Sequence, residues 1–132
     1  MVWHNMSDTQ QQFIEWQNYA DEDELAAEAI LKENGPANPI CFHAQQLAEK
    51  YLKAYLIRKG ERFEKRHQLD YLLTLCKGID PTFEELRDEC LYLTEFYTET
   101  RYPGDIPEFS VDECKEALER AKKVKVFVIH RM

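Results

Sequence analysis

Residues 41 to 60, CFHAQQLAEKYLKAYLIRKG, carry His43, Gln46, Lys50 and Lys53 at the three-and-four spacing that lines up side chains on one helix face. These residue types suit an anionic ligand. Lysine ammonium groups meet phosphate, a Gln amide can read a base edge, and an imidazole can hold or move a proton. Left buried and unpaired, each would cost roughly 1–3 kcal/mol, so they must bond inside the fold or line a groove. Two readings follow. In one, the stripe is the solvated face of its helix, with Glu49 and Lys53 an ordinary i,i+4 pair. In the other, His43, Gln46 and Lys50 converge with Arg101 on a polar cleft that holds a nucleotide phosphate or a segment of a partner. No metal site is indicated, because His4, His43, His67 and His130 lie in four segments without ligand spacing. No Gly-rich phosphate loop is present, and no cofactor is implied.

Composition narrows the class further. The 132 residues are enough for one domain with its own core, 1–132, and leave no room for a second. A formal net charge of -8 argues against a surface coated by nucleic acid, which needs a broad basic face. The charge is uneven: Lys32 is the only Lys or Arg in the first 34 residues, whereas RKGERFEKRH and the C-terminal KEALERAKKVKVFVIHRM are net basic. A local basic cleft is compatible with that distribution. Cys41, Cys76, Cys90 and Cys114 form no CxxC or Cys/His pattern and fall among apolar neighbours, which predicts buried free thiols in a reducing cytosol. Neither a signal pattern nor a membrane-length apolar run occurs, so cytoplasm is the expected location.

The elements that position these residues are helical throughout. Phe13, Trp16, Ala20, Leu25, Ala29 and Ile30 mark a helix over 7–34, stopped by Gly35 and Pro36. The segment 39–59 is apolar over most of its circumference and must be surrounded by neighbours, with Gly60 as its left-handed cap. HQLDYLLTLCKG predicts a shorter helix. Residues 80–105 predict another, opened by a Thr82–Glu85 capping box and ended by Pro103 and Gly104. Ser110 and Glu113 form a second capping box for the last helix, whose VKVFVIH end favours strand by propensity but has no partner strand. Helices joined by short turns become antiparallel neighbours, so the expected fold is an all-α, up-and-down bundle of four or five helices.

CFHAQQLAEKYLKAYLI, then HQLDYLL, then FYTETRYP, resembles the HEPN domain family in content, order and spacing, over nearly the whole chain from Trp16 onward. That resemblance implies an up-and-down helical bundle that forms homodimers. It also implies a nucleotidyltransferase-domain protein as partner, as in toxin–antitoxin modules, with nucleotide or RNA as ligand. A second branch of the family comprises metal-independent ribonucleases with an Arg-x(4 to 6)-His motif. There an Arg fork neutralises the phosphorane-like transition state, and the His moves a proton.

One formal match exists here, Arg62 to His67 in RFEKRH. In the ribonuclease branch the motif lies late in the bundle, and the comparable position here is Arg101 in TRYPGDIPE. Ile106, Pro107 and Glu108 occupy the places where its His would fall. A binding module is therefore expected over an enzyme, with Arg62 and His67 as the catalytic pair if the chain cleaves RNA. The bland alternatives are that His67 caps or packs at the start of the third helix and that Arg101 pairs with Glu95, Glu99 or Asp105. A scaffold without a ligand is the remaining competitor.

Overall fold

Helix formation follows the apolar periodicity. The computed structural model describes residues 8–132, arranged as α1 (Asp8–Lys32), α2 (Ala37–Arg58), α3 (Leu69–Ile79), α4 (Arg87–Thr94) and α5 (Val111–Ile129). Two 3₁₀ turns, Pro81–Leu86 and Pro103–Asp105, lie before and after α4. The expected helix start at Ser7, like His4, falls outside the described residues. No strand occurs among the described residues, so the β-branched C-terminal segment is helical as expected.

α2 is the axis of the bundle. Its buried residues lie on several sides: Ile40, Leu47, Tyr51, Leu52, Tyr55 and Leu56 are all at most 1% exposed. α1 and α5 cover two of these sides, and α3 and α4 cover part of a third. One core cluster runs through all five helices, from Ala20 and Ala27 in α1 to Val124 and Val128 in α5. Phe83 sits within it, packed against Tyr55 at 4.5 Å and Phe127 at 5.1 Å between ring centroids.

The turns that fix the helix ends depart from the sequence expectation in three places. α1 closes with Asn34, not Gly35, in the left-handed region (φ 57°), and Gly35 N–H donates to Ile30 O at 2.8 Å. Gly35 is needed for space instead, since a Cβ there would meet Ile30 Cγ2 at 2.9 Å. α2 ends as expected on Gly60 (φ 75°), with Gly60 N–H donating to Ile57 O and Glu61 N–H to Leu56 O. The Thr82–Glu85 capping box does not form. Asp80 accepts from Thr82 N–H and Oγ1–H, because Pro81 directs the chain into a 3₁₀ turn with Asp80 at its start. The helix expected over 80–105 is correspondingly short, and 95–102 is irregular. The Ser110–Glu113 capping box forms in both directions.

Cys41 and Cys114 correct another expectation. They are joined in a disulfide, whereas Cys76 and Cys90 are buried free thiols. α2 and α5 run side by side with Ala44, Ala48, Ala117 and Ala121 fully buried, and small residues let two helices come close enough to bring the sulfurs together. A separation of 73 residues hides that pairing from any local pattern.

Glu84 ties the Pro81–Leu86 turn to the helices on either side of it. Hydrogen bonds from Arg87 and then Lys77 pull its carboxyl down to about 2. A depressed carboxyl pKa adds stability that is present above the unfolded value of 4.5 and lost as pH falls toward 2. Glu84→Gln is therefore expected to lower stability modestly at pH 7, with the difference from the wild type vanishing as pH falls toward 2, so that the acid limb of the stability curve flattens in that window. An unchanged acid limb in pH-dependent urea unfolding would rule this out.

Candidate functional site

Two carboxylates organise the polar face of α2. The first is Asp23 on α1, a nearly buried acid on the line of Ala20 and Ala27, both fully buried. His43 Nδ1 meets Asp23 Oδ1 at 2.8 Å, and Lys50 Nζ donates to Asp23 Oδ2 at 2.6 Å. Asp23 thus clamps two members of the stripe onto α1. A sequence signal for it was present: an acid at helical spacing between two core alanines belongs to the buried face and needs a partner.

The second carboxylate is Glu49, only 2% exposed. Its Oε2 accepts from Lys53 Nζ at 2.9 Å and meets His67 Nδ1 at 2.9 Å; its Oε1 accepts from Gln45 Nε2 at 3.0 Å and from Gln46 Nε2 at 3.4 Å. The Glu49–Lys53 pair exists, but not on a solvated face: Lys53 is 5% exposed. The reason is that the loop before α3 folds back over α2 with Phe63 while α1 brings Trp16 from the other side, their ring centroids 5.9 and 5.1 Å from the Lys53 ammonium. Gln46 also donates to Gln45 Oε1 at 2.7 Å, so Gln45, Gln46, Lys53 and His67 form one connected layer around Glu49.

His67 is where the layer reaches the surface. Its side chain is 46% exposed, and its ring stacks on Tyr97 with centroids 4.4 Å apart and planes 12° from parallel. Every neighbour of Glu49 except His67 is an obligate donor, so the carboxylate acts as acceptor throughout and the imidazole places its proton on Nδ1. Nε2 is left for a ligand. A cavity of about 320 Å³ opens beside it, lined by Lys65, Arg66, His67, Thr94, Tyr97 and Thr100. Arg66 is held over the Tyr71 ring at 4.1 Å and donates to Gln68 Oε1 at 3.1 Å. Burial and the negative charges of Glu99 and Glu49 raise the Tyr97 phenol above its ordinary pKa, so it offers an O–H donor at neutral pH.

The sequence candidates are distributed as follows. His43, Gln46 and Lys50 share the α2 face and are partly exposed, and each is bonded within the fold. Arg101 donates from Nη2 to the Glu95 carbonyl oxygen at 3.1 Å, in place of the expected carboxylate partner, and no bond joins it to the other three. Its position follows from the early end of α4, which leaves that carbonyl without a helical partner. Arg62 is exposed and forms no hydrogen bond or ion pair among the described residues. His67 is brought into the cleft, but with Lys65 and Arg66. Asp23, Arg66 and Tyr97 were not singled out from the sequence; Tyr97 lay inside FYTETRYP without a partner to mark it.

Among the described residues, no group of His, Cys, Asp and Glu could hold a metal ion, and no helix is long and apolar enough to cross a membrane. A family model described as HEPN domain matches residues 14–131. No curated protein and no solved structure matches the chain.

Proposed function

Because the chain belongs to the HEPN domain family, we propose that it is a binding module for nucleotide or RNA phosphate, acting as a homodimer beside a nucleotidyltransferase-domain protein. Membership supports a nucleotide-related, RNA-related or nuclease-like function. The finer assignment, including a place in a toxin–antitoxin module of the cytoplasm, rests on the resemblance of CFHAQQLAEKYLKA and TRYP to members of that kind.

The observation that carries the binding reading is the cleft beside His67. Two cations, two hydroxyl-bearing threonines, a phenol and an imidazole held by a buried carboxylate surround one opening. Such a set suits a phosphate oxygen, with the ring stack of His67 and Tyr97 as a rigid wall. His43, Gln46 and Lys50 continue the polar face along α2, and Arg101 stands at the far end of the loop after α4 as a further phosphate candidate.

Calorimetric titration of mononucleotides and a short RNA tests this. Saturable binding is expected for at least one of them, weakened about tenfold by Arg66→Ala, a loss of about 1.4 kcal/mol, and weakened further as salt rises. Absence of saturable heat from every ligand, or unchanged affinity in Arg66→Ala and His67→Ala, would remove the assignment.

One observation favours metal-independent ribonuclease activity as a second reading: Glu49 orients His67 in the way a carboxylate orients a catalytic imidazole, and Arg66 lines the same cleft. In this form the cation is Arg66 and not Arg62. Cleavage of RNA in chelator that persists in His67→Ala would exclude it.

A further inference from the structure

On the other side of Lys53 from His67, α1 presents aromatic rings to solvent. Trp16 and Tyr19 line a cavity of about 250 Å³ together with Gln12 and Glu15. Tyr19 is 54% exposed and Trp16 partly so. Each ring has an α2 lysine against it, Lys53 at 5.1 Å from Trp16 and Lys50 at 6.0 Å from Tyr19. One turn earlier, Arg58 lies over Phe13 at 5.0 Å.

We propose that this groove is a nucleobase subsite: an amino-bearing base of single-stranded RNA stacks on Trp16 and Tyr19 while its phosphates run to the His67 cleft. The proposal rests on the binding reading above and adds to it. Interleaved aromatic rings and cations are the pattern by which a strand is held, rings taking bases and cations taking phosphates. The space suits one planar group in an apolar slot with a few polar atoms at its edge. Glu15 accepts from an exocyclic amine, and Gln12 offers both a donor and an acceptor to a base edge. The slot and the cleft share a buried link: Lys53 lies between the Trp16 and Phe63 rings, and Glu49 bridges Lys53 to His67, so Trp16 and the loop bearing Arg62, Lys65 and Arg66 flank the same lysine.

The test uses the full chain in a Trp3→Phe background, which makes Trp16 the only indole. A short oligoadenylate is expected to quench its fluorescence saturably. An abasic ribose-phosphate chain of equal length, followed by anisotropy of an end label, is expected to bind about tenfold more weakly and without quenching. Trp16→Ala should bring oligoadenylate down to the abasic affinity, and Trp16→Phe should retain most of the difference, with thermal melts showing both variants folded. Oligouridylate, lacking the exocyclic amine, should bind several-fold more weakly than oligoadenylate. Equal binding of the abasic and base-bearing chains, unaltered in Trp16→Ala, overturns the subsite while leaving the phosphate reading intact. Failure of both chains to bind overturns the two together. Should iodide reach Trp16 only on dilution to monomer, a second copy of the chain covers the groove, and the subsite is likewise excluded.

Discussion

Glu49→Ala lowers the unfolding free energy by roughly 3–5 kcal/mol in urea titration, because it strips a buried ammonium of its counter-charge. Lys53 stays 5% exposed on a helix whose backbone has no reason to move, and its nearest remaining neighbours are the rings of Trp16 and Phe63. Gln45, itself fully buried, loses an acceptor at the same time. The charge argument is separable from a volume argument by a second variant. Glu49→Leu combined with Lys53→Met removes both charges and keeps comparable bulk, so it should recover most of the loss. A cost below about 1 kcal/mol for Glu49→Ala, or a double variant no better than the single one, would show that the pair is solvated in the native protein. The same variant frees His67 from its fixed tautomer and orientation, so ligand affinity in the cleft should fall even where the protein remains folded.

Reduction of the Cys41–Cys114 bond, or Cys41→Ser, is expected to destabilise the fold by roughly 4 kcal/mol, the chain-entropy value for a loop of this length. The two cysteines close 73 residues of chain, including α3, α4 and most of α2, so the unfolded ensemble gains much freedom when the link is cut. Thiol counting checks the premise. Native protein should react at no cysteine, denatured protein at two, and denatured, reduced protein at all four. The native silence of the free thiols follows from their burial, which pushes Cys90 up to about 12 and Cys76 higher still, keeping both protonated at neutral pH. Four reactive thiols in unreduced denatured protein would refute the link, and an unchanged unfolding midpoint after reduction would refute its energetic role.

The cleft beside His67 explains why a chain of net charge -8 can still present a basic opening. The acids of α1 are spent largely on internal partners: Asp23 on His43 and Lys50, Glu24 and Asp21 on Lys125, and Glu28 on Lys122. The cations of the loop before α3 are only lightly compensated, by Glu64 at 3.4 Å from Arg66. Local field at an opening follows such placement and not the sum over the chain.

Much of the bundle was legible from residue order alone. Apolar residues recurring at helical spacing, Gly60 beyond α2 and the Ser110–Glu113 box are local signals, and local geometry answers to them because each acts within a turn or two of backbone. The near-continuous apolar circumference of α2 likewise foretold its central place, since only burial on several sides can hide such a helix. What chain order could not decide is which polar groups meet. Asp23 and His43, Glu49 and His67, and Cys41 and Cys114 are separated by 20, 18 and 73 residues. Each pairing exists because packing α1, the 61–68 loop and α5 around α2 brings together side chains that no periodicity relates. The stripe on α2 could be seen in the sequence; its division between a clamp to α1 and a relay ending at a half-exposed imidazole was settled by where the neighbouring segments lie, because hydrogen bonds and ion pairs depend on distances that only the packed fold supplies.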